Sequence, residues 1–373
     1  MKIQQTNPGN YSYSRMIESI AAANSEINLS QNPELPALIA KTMNWQVMSL
    51  LFLADLKPVG WFAALNTGKE WFSLPHYNNG AFWLDKKTIE SWLTKNQVSL
   101  PVDESWFFNH FVNKDEYFKR INSDNNLTLI TLEPNDFKVT KQPIQPGFSL
   151  RHRSYLPLSV NRLDHKTDSL FHLKESMDAQ MDAFPTAISY KIRKALRNGL
   201  TTRIGGIELM NDFYQVYRQN IHHLGSFGLP RHFFEILIKD YSGGKAQIVI
   251  ADYQGKPVGS AIFLTWLHYA ENPWFASQRS HNHLYTSYLL HYEMMKAAID
   301  AGCRIYSFGY STKGSGVHRF KQQWGTADRT IFLNSNQPTT DQLGKMQYLR
   351  RIIRKLPLAF TKLFDNYIAT KYY

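Results

Sequence analysis

The residues best suited to chemistry sit in one string, FGYSTKGSGVHRFKQQWG, from Phe308 to Gly325. Lys321 within it can aim a cation at a developing oxyanion, a contribution worth about 2.7–4 kcal/mol of barrier. Such a lysine stays charged, with a pKa near about 10.4, unless it is strongly desolvated. Its other reading is a surface or structural lysine. Tyr310, Ser311 and His318 share the loop and could hold acceptor groups or relay protons. Trp324 is a candidate stacking ring, although large aromatics more often fill cores. A second cluster, Lys191, Arg193, Lys194 and Arg197, is spaced to meet phosphates; a solvated helix face is the alternative. Tyr285, where a later helix begins, joins Lys191, Arg193 and Arg197 in the expected substrate-binding set. His222 and His223 are neighbours on a helix and point to different faces, with no Cys, Asp or Glu cluster beside them, so no metal is expected.

The elements that must position these residues come in two copies. Gln46–Pro75 and Gln247–Ser277 each read as an apolar strand, a polar turn, Lys-Pro-Val-Gly, a second apolar strand, another turn and Trp-Phe. Lys57-Pro58-Val59-Gly60 aligns with Lys256-Pro257-Val258-Gly259, and Trp71-Phe72 with Trp274-Phe275. Shared turn chemistry of two unrelated hairpins is the competing explanation; duplication of a domain accounts for more of the match. Around the second copy, Pro185 and Thr186 open a helix that Gly199 closes. A short strand, helices through 211–225 and 230–241, the hairpin, a helix over about 285–301, a strand at 303–308, a loop and the strand RTIFLN complete an α+β order. The expected division is residues 1–165, 166–337 and a basic tail at 338–373.

At 373 residues, with 43% hydrophobic and 14% aromatic residues, the chain can bury two cores. The single cysteine, Cys303, cannot form an internal disulfide and reads as a small buried hydrophobe in a reducing compartment. The apolar run Val47 to Ala54 is far shorter than the roughly 20 residues of a membrane span, and the N-terminus lacks an apolar leader, so a cytoplasmic location is expected. The net charge is +12. Most of it falls in 185–205 and in 341–373, which favours anionic partners without choosing among phosphates, RNA and membrane. In the tail, Leu343, Met346, Ile353, Leu356, Phe360 and Leu363 recur at helical spacing among basic residues. Such a helix could rest on an anionic membrane or dock on its own domain.

The segments KIRKALRNGL (Lys191–Leu200), DFYQVYRQNIHHLGSFGLPRHFF (Asp212–Phe234), FGYSTKGSGVHRFKQQWG and, in the first half, SLPHYNNG (Ser73–Gly80) together resemble the Fem-type transferases, in particular the branch associated with exosortase and exopolysaccharide systems. The resemblance implies two tandem GNAT-like domains. It also implies transfer of an acyl or aminoacyl group to an amine of a cell-envelope or extracellular-polysaccharide precursor, with aminoacyl-tRNA or an acyl thioester as donor and no bound cofactor. tRNA and an anionic precursor are the implied partners. An aminoacyl ester is already activated, so alignment alone can supply about 7–11 kcal/mol. One departure stands out: coenzyme A acetyltransferases carry a glycine-rich turn that holds pyrophosphate on backbone amides, whereas QRSHNHLYTS, Gln278 to Ser287, has no glycine. Coenzyme A is therefore the less favoured donor.

Overall fold

In the computed structural model, residues 2–6, 20, 27–75, 77–98, 102–112, 127–138, 148–338 and 350–358 are described. The chain divides into two compact units. One comprises Met1–His165 with Ile331–Thr339, the other Lys166–Thr330 with Thr340–Tyr373. The return of 331–339 to the first unit corrects the expected 166–337 boundary. Its cause is strand pairing, since Phe332–Ser335 bond antiparallel to Arg151–Ser154.

The first unit contains β1 (Lys2–Thr6), α1 (Leu35–Met43), β2 (Gln46–Ala54), β3 (Lys57–Asn66), β4 (Trp71–Ser73), β5 (Ala81–Leu84), α2 (Lys86–Lys95), α3 (Glu104–Phe107), β6 (Leu127–Thr131) and β7 (Leu150–Ser154). From β8 (Asn161–His172) the chain enters the second unit. There follow α4 (Met177–Ala183), α5 (Thr186–Arg197), β9 (Leu200–Gly205), α6 (Met210–Leu224), α7 (Arg231–Asp240), β10 (Ala246–Tyr253), β11 (Lys256–Trp266), β12 (Tyr269–Ser277), α8 (Thr286–Asp300), β13 (Ile305–Thr312), α9 (Gly316–Gln322) and β14 (Ala327–Ser335), which re-enters the first unit at Ile331.

The duplication is visible in strand order. β2, β3 and β4 pair in antiparallel succession and β4 then pairs parallel to β7. In the second unit β10, β11 and β12 do the same and β12 pairs parallel to β13. The Lys-Pro-Val-Gly copies produce the same local defect. Phe52 faces Gly60 while Leu53 faces Pro58, leaving Val59 as an extra residue; Ala251 faces Gly259 while Asp252 faces Pro257, leaving Val258 extra. Proline has no N–H to give the ladder, and a bulge is where a strand tolerates it.

Helix ends follow their sequence signals: Gly199 and Gly225 take φ of 83° and 68° after α5 and α6, the left-handed conformation glycine adopts without strain. Helices α1 to α4 are not anticipated from sequence, and α9 is expected as loop. Ser315 caps it by accepting the His318 amide at 3.2 Å, a signal hidden between two glycines. In the tail, only 350–358 is described. Here Ile353 is buried, and the Leu356 carbonyl meets His222 Nε2 at 2.7 Å. This stretch thus docks on the end of α6; Leu343, Met346, Phe360 and Leu363 lie outside the described residues.

Each unit has its own core. Phe52, Phe62, Phe107 and Phe111 anchor the first, whereas Ile188, Phe263, Met294, Tyr306 and Trp324 anchor the second. His152 on β7 is enclosed by Phe62, Phe82 and Phe108 at ring distances of 6.1, 5.8 and 4.9 Å. Burial pushes its pKa down to about 3. Between that value and about 6.5 the unfolded chain binds a proton the folded chain refuses, so stability falls on acidification through this window. The expected loss by pH 3 is about 5 kcal/mol, and denaturant titrations of wild type and His152→Phe at pH 7 and 4 should show a smaller acid penalty in the variant.

Candidate functional site

The second unit's sheet runs β8-β13-β12-β11-β10-β9. Its two parallel strands, β12 and β13, pair only through Tyr269–Glu271 and Ile305–Ser307. Beyond that point each follows its other neighbour, β12 pairing with β11 to Ser277 and β13 with β8 to Thr312. The strands therefore part toward their C-terminal ends, the edge at which open α/β sheets seat ligands. Both break register there. β13 bulges between Ser307 and Tyr310, and β12 between Glu271 and Trp274 opposite β11.

Lys321 reaches into the β13 bulge from α9. Its Nζ donates to the Gly309 carbonyl at 2.5 Å and to the Tyr310 carbonyl at 3.2 Å. The side chain is 5% exposed, and burial lowers its pKa to about 8 against the opposing pull of Asp168, Glu271 and Asp328. The surface-lysine reading is corrected by this burial, and so is the expectation of an ordinary lysine pKa. An ammonium has three donors; two are spent on the bulge and one remains. Asp168 accepts from Ser307 Oγ at 2.6 Å, so the acids near Lys321 are themselves ordered. His291, stacked on Phe275 and bonded to Tyr306 at 2.9 Å, has its pKa driven down by burial and by Lys321, which keeps it neutral.

The other expected site residues divide by environment. Tyr310 is partly exposed, with its ring 5.8 Å from Lys166 Nζ, and Ser311 is buried, its hydroxyl having no hydrogen-bond partner among the described residues. His318 is spoken for: Nδ1 accepts the Gly314 amide at 3.0 Å, so Nε2 carries the proton and donates to Asp328 at 2.8 Å. It braces the loop rather than facing a ligand, which corrects its substrate-binding assignment. Trp324 is likewise corrected, being fully buried between Phe184 and Tyr288. Lys191 donates to Tyr288 Oη at 2.9 Å and to Gln323 Oε1 at 3.1 Å. The basic helix α5 and the end of α9 therefore meet. Lys194 lies 5.5 Å from the ring of Tyr285, which itself has φ of 65° at the start of α8. Arg193 and Arg197 are exposed and make no ion pair among the described residues.

Sequence reasoning missed Asp168, Glu271, Asn272, Asp328 and Tyr288. A signal existed for some: Glu271-Asn272 interrupts the apolar run of β12, and Asp168 sits just before the buried Ser169-Leu170 of β8. The loop between β12 and α8 lacks the glycine-rich turn typical of a pyrophosphate cradle. It winds into a 3-10 turn, Arg279–Leu284, in which the amides of His281 and Tyr285 bond to Gln278 and Asn282 carbonyls at 3.0 and 3.1 Å.

Known proteins are similar in the following ways. Residues 184–322 match the acetyltransferase (GNAT) domain family, a segment containing Lys191 through Lys321. No curated protein matches the sequence. The structure resembles that of FemX with a TM-score of 0.56 and 12% identity, covering 94% of this chain and 100% of that one. It also resembles the C-terminal domain of a lysylphosphatidylglycerol synthetase from Agrobacterium fabrum (TM-score 0.49, 10% identity, 90% and 96% covered). A tandem GNAT protein from the clavulanic acid pathway gives 0.48 and 10%, with 91% and 99% covered. Residues 184–322 are thus similar to a GNAT acetyltransferase domain, and the chain shares the fold of FemX.

Two glycines of the site loop separate conformational from steric cost. Gly309 has φ of 73°, and a Cβ there would sit 2.8 Å from the Asn272 carbonyl oxygen; Gly314 has φ of 71° with open space around it. Gly314→Ala should cost about 1 kcal/mol, the backbone penalty alone, and Gly309→Ala about 1–3 kcal/mol more, measurable by thermal unfolding of the two variants side by side.

Proposed function

We propose that this chain is a Fem-like N-acyltransferase that moves an acyl or aminoacyl group from an activated donor to the amine of an anionic cell-envelope or extracellular-polysaccharide precursor. The observation that carries this reading is the buried Lys321 ammonium held on the β13 bulge, inside the segment matching the GNAT acetyltransferase domain. The amine nitrogen attacks the donor carbonyl carbon, and a C–N bond forms as the π electrons move onto oxygen. When the tetrahedral intermediate collapses, the bond to the leaving group breaks, and the proton lost by the amine is returned to that group. The remaining N–H of Lys321 is assigned to the transient oxyanion. Because the ammonium is already fixed by two carbonyls, little reorganisation accompanies the charge that develops.

The proposed donor is an aminoacyl ester such as aminoacyl-tRNA rather than coenzyme A, a choice supported by the absence of glycine from the β12–α8 loop and by the His281 and Tyr285 amides bonding within it. The exposed Arg193 and Arg197, with Lys191 and Tyr285 behind them, are the proposed contacts for donor or acceptor phosphates, and Tyr310 and Ser311 for the acceptor. Any peripheral membrane contact through the tail belongs to this proposal too; among the described residues no helix is long and apolar enough to cross a membrane.

The decisive assay follows labelled acyl transfer from aminoacyl-tRNA, with acetyl-coenzyme A in a parallel arm, to lipid-linked or nucleotide-linked envelope precursors. Lys321→Ala should lower kcat by about 10²–10³ with KM little changed. In the ratio of wild-type to Lys321→Ala rates, which cancels titration of the acceptor amine, the lysine's advantage should shrink as pH rises through about 8, because the cation is discharged. A ratio that instead grows through this pH would remove the oxyanion role, and transfer in neither arm would sink the activity itself.

A further inference from the structure

The two copies of the bulged hairpin differ at the tip in a way that packing does not explain. Each is closed by a two-residue turn with both residues left-handed, Asp55-Leu56 at φ of 47° and 62°, and Gln254-Gly255 at 52° and 72°. The second copy places glycine where that conformation asks for it. The first copy places Leu56 there, against the backbone preference of any residue with a Cβ, and leaves the side chain 78% exposed. A strained leucine held out in water contributes nothing to the core of its own unit.

The surroundings of this tip give it a chemistry. Between the turn and α2 lies a recess of about 390 Å³, bordered by Asp55, Lys57, Lys87, Ser91, Trp92 and Lys95. Lys87, Ser91 and Lys95 are four residues apart and so share one face of α2. All three lysines are exposed, and none makes an ion pair among the described residues; Asp55 is the one acid on the rim, and the neighbouring Lys86 is matched by Glu90 at 3.7 Å. A protruding apolar side chain next to a net positive recess, whose rim includes its chain neighbours Asp55 and Lys57, is complementary to one kind of surface. We infer that the β2–β3 tip and α2 form a docking patch for an anionic lipid bilayer, with Leu56 entering the apolar layer and the lysine-lined recess receiving a headgroup phosphate. RNA would meet the lysines but leave the leucine unexplained. This inference rests on the first unit alone and not on the proposed transfer reaction.

The turn makes a clean test, because Leu56→Gly relieves the left-handed strain and should leave the thermal midpoint equal or higher. Co-sedimentation of the full chain with vesicles of about 30% phosphatidylglycerol in phosphatidylcholine should show binding that pure phosphatidylcholine vesicles do not. Leu56→Gly should weaken it about tenfold, and Lys87→Glu and Lys95→Glu each by about fivefold or more. Transfer to a soluble acceptor should be untouched by Leu56→Gly, so failure here and failure of the enzymatic reading are separable. The inference is overturned if the wild type ignores the anionic vesicles, if Leu56→Gly binds them as tightly as wild type, or if a short RNA displaces the chain from them with Leu56→Gly and wild type alike.

Discussion

A buried ammonium must find lone pairs, and in this protein it finds them on a strand. Carbonyls within a sheet normally serve the ladder. Those of Gly309 and Tyr310 reach Lys321 because β13 bulges there, with Gly309 turned to positive φ and packed against the Asn272 backbone. The ladder with β8 resumes at Tyr310 opposite Asp168, which brings an acid beneath the cation. Lysine, glycine, bulge and acid are therefore one arrangement. Each is unfavourable alone, and together they satisfy one another. Residual desolvation shows as a lysine pKa of about 8, a group that stays charged at neutral pH and discharges only slightly above it.

Duplication supplied the frame and divergence the chemistry. Both units carry the bulged hairpin and the parallel strand beside its third member. Yet where the second unit has an acid-backed lysine, the corresponding parallel pair of the first sets Ser73 beside His152, and phenylalanines surround that histidine. Burial without an acid keeps it neutral. One copy of the sheet thus uses its interior for a charge, and the other for an apolar core.

Legibility in the sequence followed the range of the interactions. Local rules sufficed for the Lys-Pro-Val-Gly hairpins and for α5 between Pro185 and Gly199. They failed for α9, because two glycines obscured the Ser315 cap, and for the pairing of the last strand, whose partner is some 180 residues away along the chain. They failed also for the role of His318. A histidine in a polar loop reads as available, and only the fold reveals that Asp328 and the Gly314 amide occupy both ring nitrogens. Trp324 was ambiguous for a like reason: an indole suits stacking or core filling equally until its neighbours are known. Glu271 could have been found, since a carboxylate in an apolar strand needs a cation, and the nearest chemistry-bearing string contained one.

The basic helix α5 is likewise divided by its partners. Lys191 is bound to Tyr288 and Gln323 and Lys194 lies near the rings of Tyr190 and Tyr285, so half its charge is held against aromatic faces where a cation gains from the ring quadrupole. Arg193 and Arg197 remain in water, where screening limits each to short range. This division separates two tasks that a run of like charges cannot otherwise perform at once. The anchored lysines fix the helix to α8 and α9, and hence to the loop carrying Lys321. In the proposed function the solvated arginines supply the field that draws an anion toward that fixed edge. A helix with all its cations exposed would attract as strongly but would lack this tie between the attracting face and the strand bulge where the chemistry is assigned.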